Sequence, residues 1–395
     1  MSPYHPLFAV VVYAIAFLTA FLIQQRYKDK NASSRYETID GLRGFLALGV
    51  FIHHSTIWFR FLRTARWSTP PSNLYNHLGG TCVLFFFMIT GFLFVSKLLV
   101  VRQTGINWNH FFVSRIFRLF PMYYFSLVLV VVTVMILSFW NLYVSWGDFW
   151  EQLSHWMFFN IDTMPDLNHI KKTFVINAGV TWSLSYEWLF YFVLPVLSLF
   201  VFRKHQKPVY IGLGIAFIIF YFYLRGAMES DIYLIGFVGG AIPAVLLRYT
   251  HLAERMKGRV VCSIVSLVII ACLIAIVQYR YVTICTILLS TVVFTLVALG
   301  NSMFGLLRLQ FVSFLGDISY STYLLHGIIL FYAFRFLIGI KTMQSFTAVQ
   351  YSFVIFAVVP VVVVLSYLTY RFIEKPLMRY GKNIIKRRAQ KQIQL

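Results

Sequence analysis

The chain has 395 residues and a formal net charge of +21, and 59% of its residues are hydrophobic while only 12% are charged. Soluble proteins contain about 45–50% apolar and about 25% charged residues, so this composition excludes an ordinary water-soluble domain. The basic residues lie at the ends of apolar runs and form no continuous groove lined with aromatic residues, which excludes a nucleic-acid-binding protein.

Apolar runs close to the roughly 20 residues that a helix needs to cross a bilayer recur along the chain. They predict an all-α fold, a polytopic transmembrane helical bundle of about 11 spans. The predicted spans are residues 5–24, 41–62, 79–100, 117–140, 182–202, 208–224, 232–247, 260–278, 281–299, 312–338 and 349–372. No small-residue cleavage site follows the first span, which therefore predicts a retained helix and no cleaved signal peptide.

Positive charge is concentrated on alternate connections between these spans. By the positive-inside rule those connections are cytoplasmic, so the N-terminus is predicted outside and the C-terminus inside. The 141–181 connection then faces outward, and its Trp and Phe residues predict an interfacial helix plus a loop.

The chain shows no internal repeat. The predicted organisation is an extra N-terminal transmembrane helix and cytoplasmic linker over 1–35, one membrane domain over 36–380, and a basic cytoplasmic tail over 381–395. The cysteines have neither CxxC nor Cys/His spacing, so no metal site is predicted.

The second span carries ionisable residues, which cost about 2.5–3.5 kcal/mol each at the centre of a membrane helix and therefore need a reason. Arg43 and His54 are eleven residues apart, so they share one helix face about 16 Å apart along the axis. A neutral imidazole at mid-membrane depth can take a proton from an attacking hydroxyl, which makes His54 a candidate general base. Asp40 and Arg43 mark the cytoplasmic entrance, and His53 is predicted to be structural.

Arg115 and Arg118 are three residues apart and share a helix face at the cytoplasmic boundary. They could simply anchor the helix as positive-inside residues. A pair of guanidinium forks among aromatic residues is also suited to hold phosphates, and coenzyme A is a phosphate-rich cytoplasmic donor.

Trp182, Ser183 and Glu187 lie near the predicted outer end of a span. An acid flanked by aromatic residues is typical of a sugar-binding surface, although Glu187 could equally be held by a neighbouring helix.

Ser319, Tyr323 and His326 follow at i, i+4 and i+7 and form one stripe on a helix. Such a stripe can join helices by hydrogen bonds, but its second histidine favours the lining of a cavity.

In this order along the chain, the stretches are similar to those of the membrane acyltransferase 3 family. The matching segments are Asp40-Gly41-Leu42-Arg43-Gly44 with His54, Leu84 to Leu93, Phe111 to Tyr124, Trp182-Ser183-Leu184 with Glu187 and Tyr191, Gly316 to His326, and Glu374-Lys375-Pro376. Thr90 stands where the family commonly has serine, and the span at 5–24 is additional to the ten helices usual in the family.

The resemblance implies a bacterial inner-membrane enzyme that O-acylates glycans or glycolipids. Its co-substrate would be an acyl-CoA, expected to be acetyl-CoA, with no bound cofactor. The expected acceptor is a surface glycan or glycolipid such as O-antigen, and a stand-alone form without an esterase-like domain is expected. Membrane lipids are the expected surroundings.

A transporter of a lipid-linked or small polar substrate is the alternative, since the same polar residues could line a pathway. It predicts inverted repeats and broken helices in matched positions, and the sequence indicates neither. A membrane O-acyltransferase of the unrelated lipid- and protein-modifying family fits the chemistry but not these motifs.

Overall fold

A computed structural model describes residues 2–26, 36–101, 105–158, 164–201, 231–256 and 258–393. These ranges contain helices and no β-strand, which confirms the all-α class. The long helices are α1 Pro6–Arg26, α2 Glu37–Thr64, α3 Asn73–Val100, α4 Trp108–Leu137, α5 Trp146–Met157, α6 Trp182–Val201, α7 Leu234–Tyr249, α8 Arg259–Val277, α9 Ile284–Ala298, α10 Gln310–Asp317, α11 Ser319–Tyr332, α12 Ala348–Thr369 and α13 Lys375–Ile393. Shorter helical segments are Thr173–Val175, Asp231–Tyr233, Leu252–Arg255, Leu306–Arg308, Ala333–Leu337, Ile340–Ser345 and Tyr370–Glu374.

Every predicted span within the described residues overlaps a helix, whereas the predicted span 208–224 lies outside them. Six helices of the described part are long and apolar enough to cross a membrane, or seven if one bent pair counts as a single span. Helices α7 and α9 are apolar but shorter. The chain is thus an integral membrane protein, while the number of spans and their orientation stay predictions.

The predicted continuous span over 312–338 is wrong, because α10 and the helix from Ser319 to Leu337 are bent by 70° at their junction. Irregular backbone inside a membrane must be buried in protein or line a cavity. Here the break lies against α2, since a Cβ atom on Gly316 would overlap the Asp40 carbonyl group. The bend also removes one part of the sequence argument against a transporter, namely the lack of broken helices.

The described chain divides into two compact units, and the first comprises Met1–Leu99 with Glu229–Val364. Helix α2 is its centre and packs closely on α10 through glycines. A Cβ atom on Gly44 would lie 2.7 Å from the Val312 carbonyl oxygen of α10. A Cβ atom on Gly41 would overlap the carbonyl oxygen of Leu307, which lies just before α10. Small residues allow membrane helices to approach this closely.

Helix α1 is an integral part of the first unit. The Tyr13 hydroxyl donates to the Phe45 carbonyl oxygen of α2 at 3.0 Å, and the rings of Phe17 and Phe45 lie 5.1 Å apart. At the other end of α1, the Tyr75 hydroxyl donates to the His5 carbonyl oxygen. The additional helix therefore covers one side of α2.

The second unit comprises Val100–Met228 with Leu365–Leu395. Helix α5 begins at the N-cap Ser145, whose hydroxyl accepts from the Asp148 amide, and the predicted helix in the 141–181 connection is thereby confirmed. Helix α13 packs on α4, where the rings of Phe117 and Tyr380 lie 5.7 Å apart. The predicted basic tail is therefore helical as far as Ile393.

Candidate active site

Two histidines meet in the first unit although 272 residues separate them. Nε2 of His326 lies 3.0 Å from Nδ1 of His54. His326 is completely buried, whereas His54 is half-buried. Of the two imidazoles, His54 is therefore the one that a substrate can reach.

Aromatic side chains surround the histidine pair. The Trp67 ring lies nearly parallel to the His54 ring, with an interplanar angle of 23° and 6.5 Å between centroids. Helix α2 ends in a left-handed residue, Ala65, with φ of 55°. Left-handed residues commonly end helices, and the segment that follows brings Trp67 back over His54. Phe51, one turn before His54 on α2, meets the His326 ring in an edge-to-face contact.

His53 points elsewhere. Its Nδ1 lies 2.7 Å from the Tyr75 carbonyl oxygen, and its ring packs directly on Gly79 of α3. This position agrees with the structural role that the sequence predicts for His53.

Asp40 and Arg43 form a salt bridge with 3.7 Å between Oδ1 and Nη1, and their side chains are 24% and 15% exposed. They lie near the start of α2, three turns before His54. Arg43 thus has a carboxylate partner on its own helix, and a direct role for either residue in the reaction stays a prediction.

The predicted stripe on α11 is buried throughout. Ser319 is 1% exposed and its hydroxyl makes no hydrogen bond, while Tyr323 is 7% exposed and its ring lies 6.1 Å from that of His326. Only His326 of the three contacts His54 by a hydrogen bond in the described structure. Ser319 and Tyr323 are enclosed by protein, and their predicted role in holding the acceptor stays a prediction.

A second polar cluster lies in the second unit, between α4 and α6. The Tyr191 hydroxyl donates to the Glu187 carboxylate and also interacts with the Arg115 guanidinium. Arg115 is also close enough to Glu187 for electrostatic attraction and to Arg118 for electrostatic repulsion. Arg115, Arg118 and Glu187 are half-buried, so ligand atoms can approach the cluster.

The aromatic contacts fix how α4 and α6 are aligned. Phe120 stacks on Trp188 with 5.4 Å between centroids, and Phe111 meets Tyr191 at 5.8 Å. The two helices therefore run antiparallel, with Glu187 level with Arg115. The predicted separation of Glu187 from the arginine pair is wrong, because the connection after α5 returns against α4 before α6 begins. The Tyr123 hydroxyl, which donates to the Trp156 carbonyl oxygen, holds that return in place.

Trp182 and Ser183 begin α6. The Ser183 hydroxyl donates to the Val180 carbonyl oxygen at 3.3 Å, and Trp182 meets Tyr186 edge-on at 5.5 Å. Both contacts are local to the start of α6 and do not involve Glu187. Within the described ranges, no group of three or more His, Cys, Asp and Glu side chains could hold a metal ion.

A family model described as an acyltransferase domain matches residues 36–371, which include both polar clusters. The chain belongs to the acyltransferase 3 family. The resemblance seen in the motifs is therefore confirmed, and the protein is a membrane acyltransferase. The comparisons with curated proteins and with solved structures gave no match.

The two clusters of this acyltransferase offer different chemistry. The histidine pair provides an accessible imidazole backed by a buried one, which suits proton transfer. The arginine cluster provides two half-buried guanidinium groups, one of them beside a tyrosine that bonds a carboxylate, which suits binding of an anionic group.

Of the residues at these sites in the acyltransferase, Trp67 was not expected from the sequence, and Tyr191 was expected only as one of the aromatic residues that flank Glu187. Trp67 lies in a short connection, where tryptophan usually marks the membrane interface, so nothing local distinguished it. Tyr191 follows Glu187 by four residues, and this spacing predicts their contact. The link from Tyr191 to Arg115 requires the packing of α4 on α6.

Proposed function

We propose that the protein transfers an acyl group, expected to be acetyl, from acyl-CoA to a hydroxyl of a glycan or glycolipid. The observation that carries this proposal is the half-buried His54 imidazole, hydrogen-bonded to a second histidine inside the membrane unit of an acyltransferase. A general base of this kind serves an oxygen nucleophile, which must lose a proton as it attacks.

In direct transfer, His54 takes the proton from the acceptor hydroxyl as its oxygen attacks the thioester carbonyl carbon. The carbon–oxygen bond forms, the carbon–sulfur bond breaks, and the coenzyme A thiolate receives the proton from His54. The products are the O-acylated acceptor and free coenzyme A. His54 thus ends the cycle neutral.

The arginine cluster is proposed to bind the donor phosphates. Arg115 and Arg118 offer planar forks that match phosphate oxygens. The hydrogen bond from Tyr191 to Glu187, together with the interaction of Tyr191 with Arg115, favours an orienting role for Glu187 over the acceptor contact expected from the sequence. Trp182 and Ser183 remain the proposed acceptor positions and Asp40 with Arg43 the proposed entrance, whereas for the enclosed Ser319 and Tyr323 the acceptor role stays an expectation from the sequence.

The proposed location is the bacterial cytoplasmic membrane, with the donor entering from the cytoplasm and the acceptor modified on the outer side. This sidedness rests on the positive-inside orientation. In sealed inside-out vesicles, added acyl-CoA should support acylation of a lumenal acceptor, whereas right-side-out vesicles should require donor inside. Donor use from the outer face alone would contradict the proposal.

The decisive experiment follows coenzyme A release and acylated product with the purified protein in lipid. Release that depends on a glycan acceptor, with one product per coenzyme A, supports the enzyme. The bend between α10 and α11 is the one observation that favours a transporter. Binding of acyl-CoA or glycan without any release of coenzyme A would support that alternative.

A further inference from the structure

The second histidine of the pair has no access to substrate, since His326 is completely buried. We infer that His326 is a positioning residue, which holds the His54 ring so that Nε2 of His54 is the basic atom. This inference rests on the proposed function of His54 as the base. It changes the role of His326 from acceptor binding, expected from the sequence, to support of His54.

The hydrogen on His326 follows from its partners. Its Nδ1 lies 3.0 Å from the Thr322 carbonyl oxygen, one turn earlier in α11. A carbonyl oxygen can only accept, so Nδ1 of His326 carries the hydrogen. In the neutral ring, Nε2 then has a lone pair and is an acceptor.

The hydrogen on His54 follows in the same way. Its Nδ1 lies 3.0 Å from the Val50 carbonyl oxygen and 3.0 Å from Nε2 of His326. Both neighbours are acceptors, so Nδ1 of His54 carries the hydrogen and is shared between them. The Nε2 of His54 is left with the lone pair that can take the substrate proton.

The contact matters most when His54 becomes an imidazolium. Its Nδ1 hydrogen then makes a stronger, charge-assisted bond, and the lone pair of His326 accepts it away from competing water. Val50 alone is a weaker support, because its carbonyl oxygen also serves the regular backbone of α2. His326 therefore both orients the neutral base and stabilises the charged one.

Two substitutions separate positioning from packing. His326→Phe keeps a ring in the buried site but removes the acceptor, whereas His326→Gln restores an acceptor near the position of Nε2. Positioning predicts that His326→Phe lowers kcat roughly 10- to 100-fold, the scale seen when the orienting partner of a functional histidine is lost. The KM for acyl-CoA should stay unchanged, and His326→Gln should recover most of the rate. A purely structural role predicts the reverse order, since phenylalanine suits an apolar site better.

Wild-type kcat in a folded His326→Phe, or a His326→Gln no better than phenylalanine, would overturn the inference. In a His54→Ala background, His326→Phe should change the residual rate no further, because residues acting as a unit are not additive. An additional loss there would show that His326 acts independently of His54. If His54→Ala itself were active, the proposed function would fail instead.

A measurement on the unaltered protein covers the case in which the variants do not fold. Solid-state nitrogen-15 NMR of histidine-labelled protein in lipid reports which ring nitrogen carries hydrogen, and His54→Ala identifies the His54 signals. Hydrogen on Nδ1 of neutral His54 is expected. Hydrogen on Nε2 would overturn the inference.

Discussion

The two polar clusters are held in different ways. In the first unit, His54 and His326 are tied to carbonyl groups of their own helices, and α2 is fixed by backbone contacts at glycines such as Gly316. In the second unit, Arg115 interacts with the side chain of Tyr191, which in turn donates to the Glu187 carboxylate. Backbone supports cannot change without moving a helix, whereas side chains can exchange partners. The proposed proton-transfer group should thus be rigid, while the proposed anion-binding group can adjust to its ligand.

The largest effect should come from the rigid cluster. His54→Ala should lower kcat about 10²- to 10⁴-fold, the usual contribution of a general base, and leave the protein folded. His53→Ala is the matched control: it should affect stability more than kcat, because His53 contacts the backbone at Tyr75 and packs on Gly79. Steady-state kinetics and thermal unfolding in detergent measure both. An equal loss of kcat in the two variants would contradict the assignment of the base to the His54 face of α2.

A smaller effect, on KM and not on kcat, should come from substitutions in the arginine cluster. Replacing Arg115 and Arg118 together by lysine keeps the charge but removes the forks, so the KM for acyl-CoA should rise tenfold or more. Hydrogen bonds to charged groups contribute about 1.5–3 kcal/mol each, which sets this scale. The kcat at saturating donor should change little, and Arg379→Lys, at an exposed position of α13, is the control. An unchanged KM would reduce the pair to a topological anchor.

The smallest effect on activity should come from a substitution that forces α2 and α10 apart, because it acts mainly on stability. Gly316→Ala would push a methyl group into the Asp40 carbonyl, and overpacking of this kind costs about 1–3 kcal/mol of stability. Gly147→Ala in α5 is the control, since its nearest outside atom is 3.7 Å away and alanine favours helix. Thermal unfolding should show a lower midpoint for Gly316→Ala alone. Equal midpoints would argue against close contact between α2 and α10.

Hydropathy was sufficient to locate the helices but not their shape. The apolar run over 312–338 contains no proline, and Gly316 and Asp317 before Ile318 are only a weak local signal for a break, since an isolated glycine is tolerated inside a helix. The bend arises from tertiary packing, because α10 must bring Gly316 against Asp40 while α11 must bring His326 to His54. A local pattern cannot contain either requirement.

The sequence also did not predict how deep a polar residue lies along its span. An apolar run gives the ends of a helix, but not how far the preceding connection enters the bundle. Glu187 was therefore expected at the outer end of α6, whereas the return of the chain at Trp156 sets it level with Arg115. The polar residues themselves are visible in the sequence, since His54, His326 and Glu187 interrupt apolar runs and Arg115 directly precedes one. Their pairing required the fold.

The position of Trp67 bears on the choice between acyl transfer and hydrolysis of the thioester. An activated thioester has two fates, transfer to the intended hydroxyl or hydrolysis by water, and a general base promotes both. Exclusion of water from the site suppresses the second fate. The Trp67 indole lies nearly parallel to the His54 ring, so this side chain, by keeping water from the proposed base, would favour acyl transfer over thioester hydrolysis.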